Sequence, residues 1–346
     1  MSNKVAYLGS GLGLIVIAIF ATLINAGVFK TIENINVQQC QVIDGIVGAE
    51  DITFIPNTNM AFVSAYDRRI ERADPAANIE GGIYLYDLDA QDLIKVSPEF
   101  DDFKPHGMSL YQGINGDVRL FVVDHANQQH QVKIFEFKHQ SLTLLRTISA
   151  PEMNSPNDLV AVGPEQFYVT NDHGFVTGLM RLLEDYLMLP FSNVLYFDGD
   201  DVQEVASGLA YANGINVDAS GTRIYVAGVT SLSLYVYERD LENNALTLIE
   251  KINTGTGVDN IELDEKGDIW IGAHPQLLKF VAHSKQSDNR SASQVIKIKS
   301  SDGSFDMETI YQNTGDPISG SSVAAVKGKR MLIGSVFDPI MLDCTL

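Results

Sequence analysis

Three stretches decide the fold: GAEDITFIP at residues 48–56, SPNDLVAVGP at 155–164 and GVDNIELDE at 257–265. Each sets two small acidic or amide side chains (Glu50-Asp51, Asn157-Asp158, Asp259-Asn260) just before an apolar run. Such runs suit a pleated strand. KPHGMSLY at 104–111 and YANGINVD at 211–218 put His106 and Asn213 in comparable places. Along Glu50, His106, Asn157, Asn213 and Asp259 the intervals are 56, 51, 56 and 46 residues. Their mean of about 52 is the size of one propeller blade, and the chain from residue 33 onward divides by six into units of that size.

Outward from these stretches the pattern continues. Short apolar runs, such as 60–64, 83–86, 119–123, 223–227 and 331–335, alternate with Gly/Asp turns, as in VDASGTRIYVAG at 217–228. Frequent strands with few helices argue for an all-β protein, and the period selects a six-bladed β-propeller over residues 33–346. Residues 174–190, GFVTGLMRLLEDYLMLP, break the pattern. Leu179, Leu182, Leu183, Tyr186 and Leu187 recur at helical spacing, with Arg181, Glu184 and Asp185 opposite, so a short amphipathic helix is expected there. It either packs on the sheets or lies at a membrane interface.

The ends of the chain carry two further signals. Residues 5–29 hold no charged side chain and are flanked by Lys4 and Lys30. That length exceeds the roughly 30 Å hydrocarbon layer, and no small-residue cleavage pattern follows. Residues 1–32 are therefore expected to be an uncleaved transmembrane signal anchor, with cleavage and secretion as the alternative. The two cysteines, Cys40 and Cys344, sit at the extremes of the remaining chain. A bond between them would tie its ends together and would require an oxidising, exported compartment, periplasmic or extracellular.

Composition narrows the chemistry. The chain of 346 residues has 24 Lys and Arg against 44 Asp and Glu, a net charge of −20. Such a surface repels phosphate backbones, so nucleic acid is not an expected partner. The sequence has no H-E-x-x-H, C-x-x-C, EF-hand loop or G-x-S-x-G, which leaves zinc and a serine nucleophile without support. In a propeller, equivalent blade positions face one axis. Glu50, Asn157, Asn213, Asp259 and Asn260 would then present hard oxygen donors with two negative charges, a set that suits calcium. Asp51 and Asp158, one position on, offer a second cation two more carboxylates. His106 and His125, 19 residues apart, would share a proton, one activating water and the other assisting. His173 and His274 end strand-like runs and would line the channel, whereas His130, His139 and His283 read as solvated loop residues.

Taken together, Glu50-Asp51, PHGM at 105–108, VVDH at 122–125, PNDLVAVGPEQFYVTNDH at 156–173, ANGIN at 212–216, VDNI at 258–261, WIGAHP at 270–275, GSSVA at 320–324, MLIGSVF at 331–337 and the closing Cys344 make the chain resemble the serum paraoxonase and arylesterase family. The resemblance runs from about Cys40 to Cys344. It implies a calcium-dependent, six-bladed lactonase with two calcium ions per chain. By motif, the catalytic calcium would be held by Glu50, Asn157, Asn213, Asp259 and Asn260, and the structural calcium by Asp51, Asp158 and the backbone carbonyl of Met108. His106 and His125 would form the dyad, Cys40 and Cys344 the disulfide, and residues 174–190 the family's membrane-associated helix beside the active site.

Three departures fall in the substrate pocket: Asp67, Arg68 and Arg69 replace an apolar stretch, Tyr211 replaces a phenylalanine and Ser322 a threonine. With Val336, Phe337, His173 and His274, these positions would receive a small hydrophobic lactone or ester. The expected activity is hydrolysis of lactones, with aryl esters next, calcium polarising the carbonyl. A membrane-tethered, calcium-stabilised propeller that binds without chemistry, and a gluconolactonase-like enzyme with one metal, are the alternatives.

Overall fold

The structure is a computed structural model that describes residues 17, 19–301 and 304–346. Among them, 24 strands form six four-stranded antiparallel sheets arranged as the blades of a propeller. The innermost strands are Ala49–Phe54, Pro105–Gln112, Pro156–Ala161, Ala212–Val217, Gly257–Leu263 and Ser321–Lys327. Within a blade each strand pairs with the next in sequence, and short Gly- and Asp-rich turns join many of these pairs. The sixth blade is the exception. Its outermost strand is the amino-terminal Cys40–Asp44, paired with the carboxy-terminal Ile340–Thr345. Cys40 lies opposite Cys344 in that pairing, and the two form a disulfide. This bond locks the seam of the ring and fits an oxidising compartment.

Hydrophobic clusters lie between neighbouring blades. Phe62, Leu85, Leu120 and Val122 join the first and second, and Val160, Tyr168, Ile215 and Val226 the third and fourth. Ile52, Val63, Val323 and Leu332 join the sixth back to the first, so the core is a closed circle. Inner strands are covered on both faces, which is why they read as apolar runs and not as alternating ones.

All six inner strands carry a register shift near their beginning. The pairing skips Glu50 in the first blade, then His106-Gly107, Asn157-Asp158, Asn213-Gly214, Asp259-Asn260 and Ser322-Val323 in the others. A bulge ends regular pairing and re-aims its side chains. The repeat of polar pairs is thus a repeat of bulges at one end of the channel.

Three helices stand at that same end, because each connects the second and third strands of a blade: Arg68–Ala73, Gly178–Leu187 and Leu277–Lys285. The middle one falls within 174–190 as expected, but its apolar side does not pack on the sheets. Leu179 and Tyr186 are both 70% exposed, Leu182 and Leu187 are exposed too, and the buried side chain is Glu184. Glu184 accepts the backbone N–H groups of Gly174 and Phe175 at 2.9 and 3.1 Å, which anchors the loop below it.

Of the expected anchor at 5–29, residues 5–16 and 18 lie outside the described residues. Residues 19–25 are helical, and no helix among the described residues is long and apolar enough to cross a membrane. The following turn docks on the mouth. Ala26 is buried against Val229 and Leu277, and its carbonyl accepts the Leu277 N–H at 2.9 Å.

Candidate active site

The bulges bring five side chains from four blades to the channel end beneath the helices. Asn260 Nδ2 donates to Glu50 Oε1 at 2.9 Å and to the Glu50 carbonyl at 3.0 Å, although the two lie 210 residues apart. Ser322 Oγ donates to the same carbonyl at 2.6 Å, and Thr170 Oγ1 to the Asn213 carbonyl at 2.7 Å. The strands approach so closely that only glycine fits between some of them. A Cβ on Gly107 would stand 2.2 Å from Asp158 Oδ1, and one on Gly214 2.4 Å from the Asp259 carbonyl.

In this ring each expected ligand keeps a buried oxygen without a hydrogen-bond donor: Glu50 Oε2, Asn157 Oδ1, Asn213 Oδ1, Asp259 Oδ1 and Asn260 Oδ1. An unpaired buried acceptor costs about 1–3 kcal/mol, and five of them on bulges at one end of the channel are the kind of donor set that a bound cation would satisfy. Three amides and two carboxylates form an all-oxygen donor set that fits calcium. Among the described residues no group of three or more His, Cys, Asp or Glu is placed to hold a metal, in keeping with a ring built largely from amides. Burial, with repulsion from Asp259 and Asp51, pushes the Glu50 carboxyl above the usual carboxylate range against the pull of Arg68. Arg68 is itself buried, with Nη2 3.8 Å from Glu50 Oε2 and its two terminal nitrogens bonded to the carbonyls of Gly48 and Pro105.

Asp51 and Asp158 are differently placed. Asp51 accepts the N–H groups of Ile52 at 2.9 Å and Met108 at 2.7 Å. Asp158 accepts those of Leu159 at 2.7 Å and Ile215 at 2.9 Å. All four carboxylate oxygens thus have amide donors, and Met108 meets Asp51 through its N–H. Burial still raises both carboxyls, with Asp51 repelling Asp158. Both line a cavity of about 790 Å³ at the other end of the channel, together with Ser109, Asn216 and Glu262.

The histidines extend from the ring. His106 Nε2 is 3.7 Å from Glu50 Oε1, and its Nδ1 is 2.9 Å from His125 Nε2. Ser64 Oγ fixes the bulge by donating to the His106 carbonyl at 2.6 Å. His130 is not solvated as the sequence suggested. It is half-buried, with Nδ1 2.9 Å from His125 Nδ1. His283 is also buried, its Nε2 3.0 Å from Asp338 Oδ1 and 2.9 Å from an Arg69 nitrogen. Only His139 of that trio is exposed. Burial pulls His106 well below the ordinary imidazole value, with Arg68 and His125 adding to the effect, and leaves it a neutral base.

The expected pocket residues occupy varied positions. Tyr211 is half-buried, its ring edge-on to His173 with centroids 4.7 Å apart. His173 lies between two carboxylates, Nδ1 2.6 Å from Asp172 Oδ1 and Nε2 2.7 Å from Asp185 Oδ1. His274 Nε2 is 2.7 Å from Asp259 Oδ2, and its ring stacks on Phe280, so it orients a ring carboxylate. Ser322 is fully buried, Val336 half-buried, and Phe337 buried beneath the guanidinium groups of Arg69 and Arg72.

An arylesterase family profile matches residues 31–346. The protein belongs to the arylesterase family. Serum paraoxonase/arylesterase 2 of Rattus norvegicus is 35% identical over 95% of this chain and 95% of its own length. Serum paraoxonase/arylesterase 1 of Homo sapiens is 35% identical over 92% of this chain and 91% of its own. A solved luciferin-regenerating enzyme shares the fold, with a TM-score of 0.55 at 12% identity over 91% of this chain and 96% of that one. Family membership makes the protein a hydrolase of the carboxylic-ester class.

Proposed function

We propose that the protein is a calcium-dependent hydrolase of lactones, and secondarily of aryl esters, that works at the channel end ringed by Glu50, Asn157, Asn213, Asp259 and Asn260. One observation carries this reading: five buried oxygens without donors lie on bulges at the channel end that also holds a hydrogen-bonded histidine pair. Calcium bound by those oxygens would supply the positive charge that draws electrons from the substrate carbonyl. His106 takes the proton of the attacking water at Nε2 and returns it to the departing oxygen. His125 holds the His106 ring through Nδ1 and fixes which nitrogen is free. His274 orients Asp259, the half-buried Tyr211 and Val336 offer apolar surface to the substrate, and the buried Phe337 supports the wall from behind. His173 and Arg68 fix the neighbouring wall, and Ser322 supports Glu50 from below.

Two parts of this reading concern ions and membranes. Asp51, Asp158 and the Met108 carbonyl are the proposed seat of a second calcium. Each oxygen of both carboxylates already accepts one backbone amide, which lessens the need for an ion there and favours the one-metal alternative at that place. The exposed apolar side of Gly178–Leu187, beside the docked turn at residues 26–30, supports a mouth that faces a membrane, with residues 1–32 as the anchor and 33–346 as the exported hydrolase.

A panel of lactones and aryl esters, assayed before and after full chelation, tests the proposal. Turnover that vanishes with calcium and returns on its addition supports it. Turnover indifferent to chelation overturns it.

A further inference from the structure

We propose that His130 is the outer member of a three-imidazole proton relay, His106–His125–His130, that carries charge from the buried base to the half-exposed rim. The inference rests on the hydrolase reading above and adds to it a residue that the dyad does not include.

The geometry is a continuous chain of short contacts. His106 Nδ1 meets His125 Nε2 at 2.9 Å, and His125 Nδ1 meets His130 Nδ1 at 2.9 Å. The ring centroids are 5.1 and 5.0 Å apart, with the planes inclined by 65° and 85°. His125 therefore engages both of its nitrogens with other imidazoles, and His130 leaves Nε2 on the far side of the chain. The turn that makes this possible is the 3-10 segment Ala126–Gln128, where Asn127 takes a positive φ of 55°. It folds the chain back so that residue 130 faces residue 125.

A neutral imidazole has one donor and one acceptor nitrogen. If His106 Nε2 is free to accept a proton, the His106 Nδ1–H must donate to His125 Nε2. The His125 Nδ1–H must then donate to His130 Nδ1. When water attacks, one O–H and two N–H bonds break (those at His106 Nδ1 and His125 Nδ1). Three N–H bonds form, at His106 Nε2, His125 Nε2 and His130 Nδ1. The oxygen's electron pair joins the carbonyl carbon, the carbonyl π pair moves to its oxygen, and the positive charge resides on His130. When the ester bond breaks, the departing oxygen takes the proton from His106 Nε2 and the three transfers reverse. No ring in the buried part has to hold an extra proton.

The surroundings favour this outward placement. Burial first, then His130, Arg68 and Lys104, push His125 down to about 3, with Asp172 opposing, so it cannot store the proton as an imidazolium. His130 is lowered by burial, while Asp172 and Glu71 both pull it back up. Those two carboxylates and the solvent at the rim receive the charge there.

The test compares His130→Ala and His130→Gln in the calcium-loaded enzyme. Glutamine offers an oxygen to the His125 N–H but cannot carry a proton onward. Both variants are expected to lose about tenfold in kcat, a fraction of what a full general base supplies, with KM within about twofold. Added imidazole should restore kcat in His130→Ala, where a half-exposed ring has been removed. Wild-type kcat in either variant overturns the relay, because full activity in the glutamine variant means that His130 only orients its neighbour. If His130→Ala does not fold, the glutamine variant alone decides. A wild-type enzyme that turns over no lactone or ester overturns the hydrolase reading, whereas an active wild type with unaffected variants overturns the relay alone.

Discussion

The upper ring and the Asp51–Asp158 pair come from the same bulges, one position apart, yet their electrostatics differ. Glu50, Asn157, Asn213, Asp259 and Asn260 each keep a buried oxygen without a donor. The oxygens of Asp51 and Asp158 all accept backbone amides. Those N–H dipoles offset part of the burial penalty of the two carboxylates, although burial still raises both. On the proposed reading, the upper set looks to a cation for the partners that its oxygens lack. The lower set ties inner strands together, since Asp51 reaches from the first blade to the second and Asp158 from the third to the fourth.

That contrast can be broken experimentally, and the largest effect belongs to the ring. Asp259→Ala should lower kcat by at least about a thousandfold, the rate equivalent of several kcal/mol, as read by lactone turnover in saturating calcium. Near-normal turnover would remove the ring from the chemistry. His106→Gln comes next, with kcat down about a hundred- to ten-thousandfold and an unchanged far-ultraviolet circular dichroism spectrum. The non-catalytic alternative expects no functional change from it.

Below these lies the pair itself. Asp51→Ala should destabilise the fold by about 1–3 kcal/mol per lost pairing in urea denaturation and leave kcat within a few-fold. A stable Asp51→Ala enzyme without activity would mean that the lower site also belongs to catalysis. The smallest effect concerns His173. Burial lowers its affinity for a proton, but Asp172 and Asp185 outweigh that and raise it to about 9 from the ordinary 6.5. A raised imidazole stabilises the fold fully below its unfolded value and loses that contribution as pH climbs through the folded value. The melting-temperature gap between wild type and His173→Gln should be widest below about pH 6.5 and close by about pH 10. A gap constant across that range would show that His173 is not charged in the fold.

The sequence carried the blades well because three of the bulges lie at polar pairs before an apolar strand and His106 and Asn213 keep the same spacing, a pattern visible without coordinates. The disulfide was legible from the positions of Cys40 and Cys344 at the ends of the propeller. Helical spacing located Gly178–Leu187, but periodicity does not say which face is covered, and here the buried side chain is Glu184. His130 and His283 were misread for a related reason. A loop histidine's surroundings depend on where the loop folds back, and neither the tight turn at Asn127 nor the reach from His283 to Asp338, 55 residues on, leaves a local pattern. HANQQH at 125–130 held the one available hint, two imidazoles five positions apart around a turn-forming Asn.

The most direct measurement is an anomalous difference map from crystals of the full chain grown in calcium. The expected result is a peak caged by Glu50, Asn157, Asn213, Asp259 and Asn260, with oxygens at about 2.3–2.6 Å. A map with no peak in that ring, from crystals of enzyme that is active in the same calcium, would contradict it.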